Sequence, residues 1–282
     1  MYREHFYQSS DRLSLYYREY GVSVDAARAP LLCLPGLTRN SRDFEALATE
    51  LGRSHRVISP DLRGRGRSAY DPNWANYVPP KYVQDMIELL DELRIERCAV
   101  IGTSLGGLIG MGLGALHRER VAGLVINDIG PELDTRGVQR IQSYAGRLPA
   151  VRSWEEAGAQ AKHVHAHALP DLDDAGWVDF ARRTYRQENG AFRPDVDPNI
   201  SRAFAGAASA PDLWPLFAQL SAIPMLAIRG ELSDLLSEGT LERMAAMKPD
   251  LRVLRVANRG HAPTLDEPEC RRAIAQFLQD ID

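Results

Sequence analysis

Short runs of consecutive apolar residues recur along the chain, each closed by glycine, proline or a polar residue. Residues 31–36 (LLCLPG), 56–61 (RVISPD), 98–104 (CAVIGTS) and 121–130 (VAGLVINDIG) form the first four. Residues 223–230 (IPMLAIRG) and 251–256 (LRVLRV) form two more. Continuous rather than alternating runs predict parallel strands buried on both faces. Ahead of them, residues 4–8 and 13–20 alternate or are rich in β-formers and predict two earlier strands.

Helical periodicity fills the gaps. A short helix is predicted over residues 44–51. Tyr82, Met86, Leu89, Leu90 and Leu93 then recur on one helical face, with Gln84, Asp85, Glu88, Asp91 and Glu92 opposite, and Pro79 and Pro80 at the start. Residues 105–116 are apolar all round and carry five glycines, each costing a helix about 1 kcal/mol against alanine. Such a helix persists only when packed tightly, so it is predicted to lie buried at the centre. From residue 131 to 222 the alternation stops. Helices are predicted over 154–169 and 173–188, with Asn189-Gly190 as a stop signal and no strand. Alternation then resumes, and the last helix opens at Pro268. The predicted organisation is an α/β core, residues 1–130 and 223–282, interrupted by a helical segment at 131–222.

Composition narrows the function classes. Of 282 residues, 26% are charged and 44% hydrophobic, which fits an ordinary globular chain rather than a disordered or fibrous one. The net charge of −4 gives no reason to expect a nucleic-acid partner. No apolar stretch approaches the ~20 residues that would cross a bilayer, and the N-terminus has no apolar signal core. Three separated cysteines, Cys33, Cys98 and Cys270, argue against a disulfide framework. The expectation is a cytoplasmic enzyme with no membrane partner.

The strongest chemical signal is Gly102-Thr103-Ser104-Leu105-Gly106, a G-x-S-x-G between a predicted strand and a predicted helix. A sharp strand-to-helix turn strains the serine backbone, leaves no room for flanking side chains and projects the hydroxyl at the sheet's end. The helix start adds the Leu105 amide and a partial positive charge. A serine hydroxyl needs a base, and the base needs an orienting acid. His261 lies between the last strand and the last helix, at the same predicted sheet edge. Asp234, just past the strand at 223–230, is the preferred acid, giving the chain order Ser104, Asp234, His261. Asp128, at the end of the strand at 121–130, is the rival. Gly36 lets the chain turn after the first apolar run, so the Leu37 amide is the second candidate oxyanion donor.

These motifs together resemble the α/β-hydrolase superfamily, in its branch with a helical cap after the sixth strand. PGLTRNSRDF (35–44) resembles the oxyanion segment, with Pro35 where a histidine is usual. DLRGRGRS (61–68) resembles the turn after the fourth strand, GTSLGG the nucleophile elbow, and GHAPTLDEPE (260–269) the histidine loop. The resemblance implies a mostly parallel central sheet flanked by helices, and it places Cys33 and Cys98 on neighbouring strands. The serine disfavours the capped relatives whose nucleophile is aspartate, the haloalkane dehalogenases and epoxide hydrolases.

The expected activity is hydrolysis of a carboxylic ester or related acyl bond in a small, apolar substrate, with no cofactor. A C–C bond hydrolase, a lactonase, a thioesterase and a low-turnover ligand receptor on the same fold remain alternatives. Trp154, Trp177, Tyr185, Phe204 and Trp214 are expected to line an apolar substrate pocket under the cap. His163, His165 and His167 lack the carboxylate or cysteine partners of a metal site, so no metal is expected. Arg63, Arg65 and Arg67 are expected to serve a structural turn rather than an anionic substrate.

Overall fold

Eight strands build one sheet in a computed structural model that describes residues 1–21, 28–205 and 212–281. They are β1 (Tyr2–Gln8), β2 (Ser14–Tyr20), β3 (Leu31–Leu34), β4 (Val57–Pro60), β5 (Cys98–Thr103), β6 (Val121–Asn127), β9 (Met225–Gly230) and β10 (Arg252–Val256). Their order across the sheet is β1-β2-β4-β3-β5-β6-β9-β10. β2 runs antiparallel to both neighbours, and the remaining pairs are parallel.

The apolar runs supply both faces at period two. Leu32, Leu34, Cys98 and Val100 face one core with helices α2 (Pro79–Glu92) and α3 (Leu105–Leu116). Leu31, Cys33, Ala99 and Ile101 face the other, with α1 (Glu45–Leu51) and α10 (Pro268–Ile281). Helix α9 (Glu238–Met247) joins the first core through Leu241 and Met244. Cys33 and Cys98 sit on the paired strands β3 and β5 as buried free thiols.

Between β6 and β9 the chain forms α4 (Thr135–Tyr144), α5 (Trp154–His165), α6 (Asp174–Thr184), a hairpin β7 (Tyr185–Glu188) and β8 (Ala191–Pro194), α7 (Ile200–Ala205) and α8 (Trp214–Ala218). The hairpin corrects the strand-free expectation for this segment. Asn189 and Gly190 both hold positive φ, 50° and 76°, the requirement of a two-residue hairpin turn, so the pair reverses a strand instead of ending a helix. Helices α5 and α6 and the hairpin share a small core of their own around Trp177, Phe180, Tyr185 and Phe192. Trp214 and Phe217 of α8 pack instead into the main core. Residues 206–211, within the predicted 131–222 segment, lie outside the described residues.

The arginine-rich turn after β4 is structural. Arg63, fully buried, donates to Asp85 at 2.6 and 2.7 Å, to Asp11 at 3.0 Å and to Asp71. Asp85, which periodicity assigns to the solvent face of α2, is thereby buried as Arg63's partner. Arg67 pairs with Glu4 near the surface and lies over the Phe6 and Tyr16 rings.

Removing one member of a buried ion cluster leaves uncompensated charge, whereas an exposed pair contributes little. Arg63→Met is expected to lower the free energy of unfolding by about 3–5 kcal/mol, and Arg67→Met by less than about 1 kcal/mol, measured by urea denaturation. Equal effects would contradict this account of the turn.

Candidate active site

The nucleophile elbow forms where β5 meets α3. Ser104 adopts φ 53° and ψ −117°, a strained conformation for a residue with a side chain. A β-carbon at Gly106 would run into the Leu34 carbonyl, and one at Gly102 into the backbone of Gly106 and Gly107. Both flanking glycines are therefore dictated by the closeness of strand and helix.

Register sets what lies beside the serine. Thr103 on β5 pairs with Asn127 on β6, so the next residues, Ser104 and Asp128, leave the sheet side by side. The Ser104 amide donates to the Asn127 carbonyl at 2.9 Å, and the Asp128 amide to the Ile228 carbonyl of β9 at 2.7 Å. Asp128 also turns through a positive φ, 57°, and is completely buried.

His261 completes a hydrogen-bonded line. Its Nε2 lies 2.9 Å from Ser104 Oγ and its Nδ1 lies 2.8 Å from Asp128 Oδ2. The loop carrying it is tied down at two points. Asn127 Nδ2 donates to the Pro263 carbonyl at 2.8 Å, and the Gly260 amide donates to the Ala168 carbonyl at 2.9 Å. Asn127 escaped the sequence reading, although a buried amide ending an apolar strand was a signal for it.

The two candidate carboxylates meet different partners. Asp234, the expected acid, does not contact His261. It forms a two-bond ion pair with Arg140 of α4, at 2.6 and 2.7 Å. Burial acts to raise the Asp234 pKa, but Arg140 outweighs it and holds the carboxyl below the ordinary value. The physical reason lies in the loop after β9. The Gly230 amide donates to Asp128 Oδ1 at 2.8 Å and Ser233 Oγ to Asp128 Oδ2 at 2.6 Å, so this loop supplies donors to Asp128. Its own carboxylate turns toward the inserted segment.

A cavity of about 640 Å³ opens over Ser104 and His261, lined also by Gly36 and Leu37. Leu105 opens α3 directly after the serine. Among the described residues neither the Leu37 nor the Leu105 amide has a hydrogen-bond acceptor. The buried Arg65 donates to the Leu37 carbonyl at 2.9 Å and to the Tyr82 hydroxyl at 2.8 Å, which fixes the peptide at the cavity floor.

None of the five aromatic residues expected to line the pocket lines the cavity over Ser104, although Tyr185 lines a smaller adjoining one that shares Tyr144, His165 and Phe180 with it. Trp154 packs on Phe192 with ring centres 4.5 Å apart, and Trp177 packs on Phe180 at 5.4 Å. The Tyr185 hydroxyl donates to Gln160 at 2.7 Å. Phe204 packs against the main core, and Trp214 donates to Glu132 at 3.0 Å under the Arg243 guanidinium. The amphipathic helices of the segment bury their largest rings against one another and against the core. Besides His261, the aromatic side chains that reach the cavity are Phe44, Tyr144, His165 and Phe180. Of the three histidines weighed for metal binding, only His165 lines it. Among the described residues no cluster of histidine, cysteine and carboxylate side chains could hold a metal ion.

Comparisons with known proteins agree with this architecture. Residues 31–271 match the Alpha/beta hydrolase family. A 3-hydroxybutyrate-oligomer hydrolase of Cupriavidus necator is 35% identical, over 93% of this chain and 92% of its own. Esterase YbfF of Escherichia coli is 28% identical over 89% and 94%. Among solved structures, an alpha/beta hydrolase from Novosphingobium aromaticivorans superposes with a TM-score of 0.93 at 42% identity, covering 99% of this chain and 98% of its own.

The hydrogen-bonded line generates a direct test with a fluorophosphonate that reacts with activated serine. Asp128→Asn is expected to slow phosphonylation of Ser104 by at least about 10²-fold, because an orienting carboxylate sets the imidazole tautomer. Asp234→Asn is expected to slow it by less than about tenfold. The opposite ranking, in variants of unchanged circular dichroism, would return the acid to Asp234.

Proposed function

Because the chain belongs to the alpha/beta hydrolase family, we propose that it is a serine hydrolase that cleaves a carboxylic ester through an acyl-enzyme. The observation that carries the reading is the unbroken line from Ser104 Oγ through His261 to Asp128, with steps of 2.9 and 2.8 Å. Such a line turns a weak nucleophile into a reactive one without a cofactor.

In the first half-reaction Ser104 Oγ attacks the ester carbonyl carbon while its proton passes to His261 Nε2. The carbonyl π electrons move onto oxygen, which the Leu37 and Leu105 amides receive as donors. Asp128 stabilises the imidazolium through Nδ1–H. The Gly230 amide and the Ser233 hydroxyl donate to its oxygens and hold the carboxylate in place for that contact. Collapse of the tetrahedral species expels the alcohol, which takes the proton from Nε2. Water then repeats the sequence on the acyl-enzyme, giving the carboxylic acid and free Ser104.

Ser104→Ala is expected to remove at least about 10³-fold of kcat on 4-nitrophenyl butanoate. Mass spectrometry of the wild-type protein after fluorophosphonate treatment is expected to find Ser104 as the labelled residue. Label on a different residue, together with an active Ser104→Ala variant, would overturn the proposal. Rapid labelling followed by a single slow turnover would favour a ligand receptor over an enzyme.

A further inference from the structure

Charged side chains around the cavity are largely spoken for. Arg39 is bound at both Nε and Nη2 by Asp43, at 2.6 and 2.7 Å. Arg42 pairs with Asp195, Glu45 with Arg18, and Asp266 with Arg271. An ion pair already closed offers little net attraction to a charged substrate, and opening it costs the desolvated partner its counter-ion. The part of the wall these pairs form is therefore suited to a neutral ligand, while Arg183, which also lines the cavity, has no ion pair among the described residues.

Two neutral polar groups remain on the side of the inserted segment. Tyr144, the last residue of α4, and His165, the last of α5, line the same cavity as Ser104. Their rings meet edge to face at 5.2 Å, and Phe180 meets the other side of His165 at 5.2 Å. Phe180 is in turn covered by the Arg39 guanidinium, 4.1 Å from its centre. This stack leaves the imidazole little freedom to rotate. Among the described residues neither ring nitrogen of His165 has a hydrogen-bond partner. Burial, reinforced by Arg39 and Arg140, holds the His165 pKa well below the ordinary value, so the ring is neutral at pH 7 and carries one donor and one acceptor. Burial likewise keeps the Tyr144 phenol protonated, and Arg140, held by Asp234, faces its oxygen.

A carbonyl oxygen engages both groups only where the imidazole presents its N–H, and a donor-only group leaves the Tyr144 O–H idle. An alcohol uses both, accepting from Tyr144 O–H and donating to the imidazole nitrogen. We propose that Tyr144 and His165 form a hydroxyl-binding subsite, and that the preferred substrates are esters bearing a free hydroxyl on the portion that reaches α4 and α5. The proposal rests on the serine-hydrolase reading and adds the substrate class to it.

The test compares kcat/KM for 4-nitrophenyl butanoate with its 2-, 3- and 4-hydroxy derivatives, and ethyl butanoate with 2-hydroxyethyl butanoate. Every rate is normalised to the fraction of Ser104 that a fluorophosphonate titrates. A site built to bind a hydroxyl discriminates strongly against the analogue lacking it. At least one hydroxy ester is expected to exceed its parent by about tenfold or more. In Tyr144→Phe and in His165→Phe that ratio is expected to fall toward one. A 4-nitrophenyl hemisuccinate is expected to be a poorer substrate than the favoured hydroxy ester. No hydroxyl preference in the wild type, a preference unchanged in both variants, or a superior hemisuccinate would each overturn the subsite. Those results, with Ser104 still titrating, would leave the hydrolase reading intact, whereas failure of Ser104 to titrate in the wild type would overturn that reading instead.

Discussion

The register between β5 and β6 is the constraint on which the site depends. Pairing of Thr103 with Asn127 brings Ser104 and Asp128 to the same edge of the sheet as immediate neighbours. Each then leaves its strand through a positive φ. Such backbone conformations cost free energy and persist only where the surroundings over-determine them. Here the surroundings are the sheet hydrogen bonds below and the close packing of α3 above. A slip of one residue would turn each side chain to the opposite face of the sheet and dismantle the arrangement.

His261 belongs to no strand, so its position is held by ties rather than by register. Asn127 grips its loop at Pro263 from beneath, and Ala168 grips it at Gly260 from the inserted segment. His261 is thus held jointly by the core and the segment above it. Asp234 with Arg140, Asp195 with Arg42, and Asp171 with Arg259 fasten the same two parts of the chain. Arg42 and Asn40 lie just beyond the Leu37 peptide, and both donate to backbone carbonyls at the end of α6. Movement of the segment would therefore be felt at both His261 and the Leu37 loop.

Burial of charge is the other theme. Arg63 among three aspartates and Arg65 against the Leu37 carbonyl are both fully buried. Arg63 fixes the turn after β4 to α2. Arg65, two residues on, carries that rigidity to the floor of the cavity. A guanidinium suits this work because its planar fork can meet several acceptors at once.

The sequence by itself determined the strands of the central sheet, the buried helix and the sharp turn at Ser104, because these depend on local periodicity and on short motifs with steric causes. Gly102 and Gly106 are examples: contact distances between a strand and the helix that follows it leave no alternative. Tertiary structure alone decided which aspartate meets His261. Asp128 and Asp234 both follow strands that end at the same edge, and only strand order and the direction of one loop separate them. It also decided that Asn189-Gly190 closes a hairpin, that Asp85 turns inward to Arg63, and that Tyr144 and His165 face the cavity while the tryptophans pack elsewhere. Periodicity marks which residues are apolar, but the neighbour that an apolar face meets is set by packing between segments distant along the chain, and that information is not local.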